Sequence, residues 1–255
     1  MKHETIKQNT LKKLEKEGKT KTDQYQKVKE YRIKSIEKNV KHKELWEKYL
    51  ENTGDPSLSF FPSSVVSAST TTYKVLAVDD IEQTRSGIEN PGSACGPTVG
   101  AMIVDFYYDV MGYKVRDNAY YGSWAALVNH LYDEMNTNWY GTSMSEWVDG
   151  MYKHVTHDVS PSAWGYNYMG AVGNEGSYVS AINSNDPAAL RFDRFKSADN
   201  VYTEYHFVTG IGYNRNGDFV GDLHAFIKDP DDGTSITQWI DWTVNDQDME
   251  LGYMY

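Results

Sequence analysis

A chain of 255 residues, 40% hydrophobic and 24% charged, is long enough for one sizeable core with or without an appendage. Its net charge of −11 argues against nucleic acid as the main partner, because phosphate recognition needs a basic face. The single cysteine rules out a disulfide framework and a Cys-rich zinc cluster, and no run of about 18 apolar residues offers a membrane span.

The charge is unevenly spread. Residues 1–55 hold 15 Lys and Arg against 10 Asp and Glu, whereas the other 200 hold 10 against 26, so a basic head precedes an acidic body that it complements. In the head, Ile6, Leu11, Leu14, Tyr25, Val28, Ile36, Val40, Trp46, Tyr49 and Leu50 recur at mostly helical spacing among alternating charges. Two helices broken near Gly18–Thr20 are expected, forming either a solvated appendage or a pro- or docking segment that covers a groove in the body. Residues 56–72, rich in Pro, Ser and Thr, read as a linker in which Phe60 and Phe61 should pack on something. The opening residues MKHETIKQNT lack the apolar stretch of a secretory signal. That fits either a cytoplasmic protein or an exported one whose signal has been removed.

Residues 73–255 form the expected main domain. Tyr73–Val78 reads as a short strand, followed by a polar loop over Asp79–Ser93. Val99, Met102, Ile103, Phe106, Tyr107 and Val110 then mark one face of a strong helix that Gly112 should end. A second helix over 123–135 aligns Trp124, Leu127, Val128, Leu131 and Met135. A third over 144–155 starts with the capping-box pair Ser143 and Glu146 and aligns Met144, Trp147, Val148, Met151 and Val155. A short helix is expected near 177–183. Beyond Pro187 the period shortens to two, giving strands near 188–195, 204–213, 218–228, 235–240 and 249–255, with a hairpin turn at Asn214–Asp218. Helices first and strands afterwards predict an α+β domain.

The strong helix is entered through Gly92-Ser93-Ala94-Cys95-Gly96-Pro97-Thr98. A cysteine at a helix N-terminus faces unpaired N–H groups and the positive end of the helix dipole, which favour the reactive thiolate. Pro97 suits the first turn, and Gly96 is expected to leave room for a substrate backbone. The bland alternative is a cysteine buried as a small hydrophobe. A nucleophile needs a base. Of seven histidines, His3 and His42 lie in the head, and His130 lies on the polar side of its helix. His154 and His157 end the third helix, where an HxxH metal pair is a minor alternative to dipole-compensating cations. His206 and His224 remain in the strand half, and His206 opens the apolar strand HFVTGIGY.

CGP entering an amphipathic helix, then HFVTGIGY, then Ala225-Phe226-Ile227-Lys228-Asp229-Pro230 resembles the C39-like peptidases of the papain-like superfamily, relatives of the leader-cleaving domains of bacteriocin exporters. The resemblance spans roughly residues 75–255. It implies a papain-like fold with a helical half carrying the nucleophile, a sheet half carrying His and Asp, and here an N-terminal helical appendage. It further implies Cys95 as nucleophile, His206 as base and Asp229 as the residue that orients the imidazole, with Asp222 and Asp241 as rivals. Read without the family, Asp229–Gly233 is a polar turn or, less favoured, a calcium loop. The family places an oxyanion-stabilising Gln on the loop before the cysteine. Gln83 is the only Gln there, 12 residues upstream, so Arg85–Pro91 must bulge, and Asn90 and Ser93 are fallbacks.

The expected function is therefore a cysteine peptidase that cuts peptide or isopeptide bonds without metal or cofactor. The expected setting is a free-standing bacterial protein, extracellular or in the cell envelope. The alternatives are an acyltransferase or transglutaminase-like enzyme on the same fold and a non-catalytic module whose aromatic groove grips peptide or glycan.

Overall fold

Helices form where the sequence supplies caps and apolar periodicity. In a computed structural model, residues 73–192, 205–215, 223–231 and 238–255 are described. All belong to the second of two units into which the chain divides, Thr70–Tyr255. The expected head, the linker with Phe60 and Phe61, the tip of the 214–218 turn and the outer ends of the strands predicted at 188–195 and 218–228 lie outside the described residues.

Helix α1, Cys95–Asp105, is buried along all eleven of its residues. A short helix α2, Asn118–Tyr121, is capped by Asp117, whose side chain accepts the Tyr120 N–H. Helix α3, Trp124–Glu134, starts at Ser123, which accepts the Ala126 N–H. Helix α4, Met144–Val155, carries the complete Ser143–Glu146 capping box foreseen from the sequence. Both α3 and α4 pack against α1, with the methyl of Met135 and the sulfur of Met151 lying over Gly100 of α1.

Gly112 ends the strong helix as expected, at φ +68, but the last turn is not α-helical. Phe106–Val110 widens into a π-turn, in which the Met111 N–H reaches back five residues to the Phe106 carbonyl at 3.1 Å. A π-turn winds more residues per turn than an α-helix, so the phase of the apolar stripe slips. Val110, expected inside, is 47% exposed.

The strands are β1 (Tyr73–Val75), β2 (Tyr166–Gly170), β3 (Ala188–Phe192), β4 (His206–Asn214), β5 (His224–Lys228), β6 (Gln238–Asp241) and β7 (Met249–Met254). They form one antiparallel sheet in the order β2-β7-β3-β4-β5-β6, with β1 pairing to the last residues of β4. Of the expected first strand, only three residues pair, although the Leu76 N–H still donates to the Ile211 carbonyl at 2.7 Å. The edge strand β2 was not foreseen, because its half-exposed YNYMG offers no clear alternation. A helix α5, Glu175–Ser184, completes the layering.

The two faces of β4 explain its composition. Thr209 contacts Met102 of α1, whereas at the next position a Cβ on Gly210 would meet the Tyr178 ring of α5 at 2.7 Å. Neighbouring strand residues point to opposite faces, so α1 and α5 cover opposite sides of the sheet. Tyr178 donates to the Gly212 carbonyl at 2.7 Å and stacks on Trp242. A Cβ on Gly212 would run into the β1 backbone at Lys74. The glycines of TGIGY therefore admit a tyrosine and a strand.

At the C-terminal end of α1, Asp105 is buried and accepts from the Asn118 amide at 3.3 Å. Burial, followed by the Asp109, Asp79 and Asp117 charges, pushes its carboxyl up to about 7. A carboxyl raised in the folded state stabilises the fold below its unfolded value of about 3.9, and this contribution is lost as pH rises through the folded value. Asp105→Asn is therefore expected to raise stability by about 1–3 kcal/mol at pH 8 and by little at pH 4. Urea midpoints at the two pH values measure this, and an equal effect at both would refute the assignment.

Candidate active site

Cys95 is the first residue of α1, 8% exposed. The preceding Ala94 supplies no side-chain cap, and the first N–H groups of a helix have no intrahelical acceptor. The chain enters through a turn in which the Ser93 N–H donates to the Asn90 carbonyl at 3.1 Å. The Ser93 hydroxyl meets the Tyr132 hydroxyl of α3 at 2.9 Å.

His206 opens β4, and Asp229 follows the last residue of β5. Antiparallel pairing of these strands sets Thr209 opposite Lys228, so Asp229 lies beside the first residues of β4. His206 Nε2 is 2.7 Å from Asp229 Oδ1. A carboxylate only accepts, so Nε2 carries a hydrogen, and Cys95 lies close enough to act on the same imidazole. The Asp229 oxygen also accepts the Asp231 N–H at 2.9 Å, and the residue is fully buried. Burial works against the imidazolium, but the Asp229 charge and hydrogen bond, with a further contribution from Cys95, overcome it. His206 is held well above the ordinary histidine range.

Asp241 lies opposite His224, four residues along β5 from Lys228, or about 13 Å at the usual rise per residue. Neither residue shares the His206–Asp229 end, and the other rival, Asp222, lies outside the described residues. Asp229 Oδ1 accepts from both His206 and the Asp231 N–H, and residues 232 and 233 of the expected turn or calcium loop lie outside the described residues.

Gln83 is drawn inside, 1% exposed. Its N–H donates to the Pro230 carbonyl at 2.7 Å, next to Asp229, and its Nε2 donates to the Pro91 carbonyl at 2.8 Å. An amide nitrogen carries two hydrogens, so that bond uses one of them. The loop between Gln83 and Cys95 is folded back on itself and tied to α3. The Ile88 N–H reaches the Arg85 carbonyl, and Asn129 of α3 bonds both the Gly87 carbonyl and the Glu89 N–H. Of the fallbacks, Asn90 is exposed, and the Ser93 hydroxyl is already engaged by Tyr132.

One expectation is corrected. Gly96 does not leave space for a substrate. A Cβ there would lie 2.9 Å from Thr142 Oγ1 and 3.5 Å from Phe207, and the Gly96 carbonyl accepts from Trp147 Nε1 at 3.0 Å. Thr142 is fixed in turn by a 2.7 Å bond to Thr137. These contacts come from residues about 50 positions away and, for Phe207, more than 100, which no local pattern reveals. His154 and His157 do not join this site; they converge on Glu134 of α3.

No curated protein and no solved structure matches the chain. The sequence profile described as the Peptidase_C39 like family matches residues 75–250, which include Cys95, His206, Asp229 and Gln83. Family membership implies a peptide substrate and cysteine peptidase chemistry, and the α+β order of helices followed by an antiparallel sheet is consistent with a papain-like fold. By the extent of that match, this chain belongs to the Peptidase_C39 like family.

Proposed function

We propose that the protein is a thiol-dependent hydrolase of peptide or isopeptide bonds, with Cys95 as nucleophile, His206 as acid and base, Asp229 as the group that orients the imidazole and Gln83 as an oxyanion donor. The observation that carries this reading is the His206 imidazole, bonded to buried Asp229 through Nε2 and raised in basicity by Asp229 with a further contribution from Cys95. The Cys95 sulfur attacks the scissile carbonyl while its proton rests on His206. The carbonyl oxygen becomes an oxyanion that the Cys95 N–H and the second Gln83 amide hydrogen stabilise. His206 then gives its proton to the leaving amine, and the acyl group remains on sulfur as a thioester. Water, deprotonated by His206, attacks the thioester and releases the acid and the free thiol. Asp229 keeps the imidazole in the tautomer and orientation that both transfers need.

The single thiol offers a direct test. Iodoacetamide should label Cys95 rapidly at about pH 6, and His206→Ala should slow this strongly. Labelling only above about pH 8, unchanged by the substitution, would sink the proposal.

The raised His206 predicts the pH profile. An imidazolium held by Asp229 persists above the ordinary histidine value of about 6.5 and is lost as pH rises through its folded value. The alkaline limb of kcat/KM on a cleavable peptide should lie above that value, and Asp229→Asn should move it to lower pH. A limb that stays in place would remove Asp229 from the assigned role. Gln83→Ala should lower kcat by about 100- to 1000-fold with little change in KM, read on the same peptide.

A further inference from the structure

On the helical side of the molecule, four side chains that the proposed peptidase chemistry does not use converge on one point. His130 and Glu134 lie one turn apart on α3, and His154 and His157 lie at the end of α4 and just beyond it. Each offers one ligand atom, and the four atoms all lie within 4.8 Å of one another. Glu134 Oε2 is 2.8 Å from His154 Nδ1 and 3.2 Å from His130 Nε2, and Glu134 Oε1 is 2.6 Å from His157 Nε2. Tetrahedral zinc ligands at about 2.0–2.1 Å from the ion stand about 3.3 Å apart, a separation inside the range from 2.6 Å to 4.8 Å that bounds these atoms.

The hydrogen-bond inventory points the same way. His154 Nε2 is 2.8 Å from the Arg116 carbonyl. A carbonyl only accepts, so the ring hydrogen sits on Nε2 and the Nδ1 lone pair faces the Glu134 carboxylate. Two electron-rich atoms at 2.8 Å need a proton or a cation between them. His130 Nε2 is also buried and without a hydrogen-bond partner, while the ring is held by stacking on Tyr121 at 4.5 Å. If a proton filled the gap at His154, that ring would be an imidazolium beside a carboxylate that already has the Lys153 ammonium 3.8 Å away, whereas His130 and His157 can each donate from Nε2 as neutral tautomers. One divalent ion bound by neutral imidazoles satisfies the same lone pairs and also takes in the buried His130 Nε2 that has no hydrogen-bond partner.

We propose that His130, Glu134, His154 and His157 form a four-ligand site for a divalent transition metal ion of the zinc class, tying the C-terminal ends of α3 and α4 together. Imidazole and carboxylate ligands suit zinc and its first-row neighbours rather than calcium or magnesium. Four side chains close the tetrahedral shell, as in structural sites, whereas catalytic sites keep a position open. The outer shell has the form such ligands use, a ring N–H donating to a backbone carbonyl. Arg116, which supplies that carbonyl, is fixed by a two-pronged bond to Asp158, the residue after His157, at 2.7 and 2.8 Å. His130 and His157 are partly exposed and give the ion a path of entry.

The test uses the full chain carrying Cys95→Ser, so that the thiol cannot ligate, stripped with a chelator and titrated with Co²⁺ as a spectroscopic probe. The expected result is one Co²⁺ per chain with the visible bands of a tetrahedral site, displaced by Zn²⁺, and a melting temperature that rises with added Zn²⁺. His157→Ala and His130→Ala, each checked for folding by circular dichroism, should weaken binding at least about tenfold. Absence of stoichiometric binding by the folded protein would overturn the proposal and leave a protonated histidine–glutamate network. Tetrahedral bands retained at full affinity in both variants would overturn it as well.

Discussion

Burial of α1 along its whole length is the constraint on which the rest depends. A helix with no solvent face must be covered on every side, and here the sheet takes one side while α3 and α4 take the other. The helix begins at Cys95, so the layers that cover it also fix the thiol. Its partners come from far along the chain: Trp147 and Thr142 hold Gly96, and Phe207, next to His206, closes the same contact. The packing that completes the core therefore brings the first residue of a helix to the first residue of a strand.

The polar groups at that junction follow from low solvent access. A buried carboxylate is costly unless it accepts hydrogen bonds, and Asp229 has two donors in the His206 ring and the Asp231 N–H. An imidazole beside such a carboxylate favours its charged form even where burial opposes it. Gln83 enters the same region through its backbone, bonded to Pro230, so the loop before Cys95 and the turn after β5 are joined beside Asp229.

Much of this was legible in the sequence, for physical reasons that can be named. The stripe on α4 and its Ser143–Glu146 cap are local patterns, and they appear as read. The ordered segments around Cys95, His206 and Asp229 were legible because each carries its own punctuation: Pro after the cysteine, glycines in the strand, and Pro after the aspartate. The π-turn was not legible, because the apolar period through Val110 is the same whether the last turn is wide or narrow. Gly96 was misread because a glycine that admits a ligand and one that admits a neighbouring threonine look alike. The histidine cluster showed only its HxxH half; Glu134 and His130 join it through helix packing, which spacing along one helix does not encode.

The contacts of Gly96 bear on how such a sequence can change over time. Thr142, Phe207 and the Trp147 indole constrain position 96 whatever side chain stands at 95. Selection on the glycine is thus selection for a folded domain, separable from selection on the thiol beside it. A descendant that lost the cysteine and kept the fold would still carry the glycine, so a Gly-Pro pair surviving without its cysteine marks inherited architecture rather than retained chemistry.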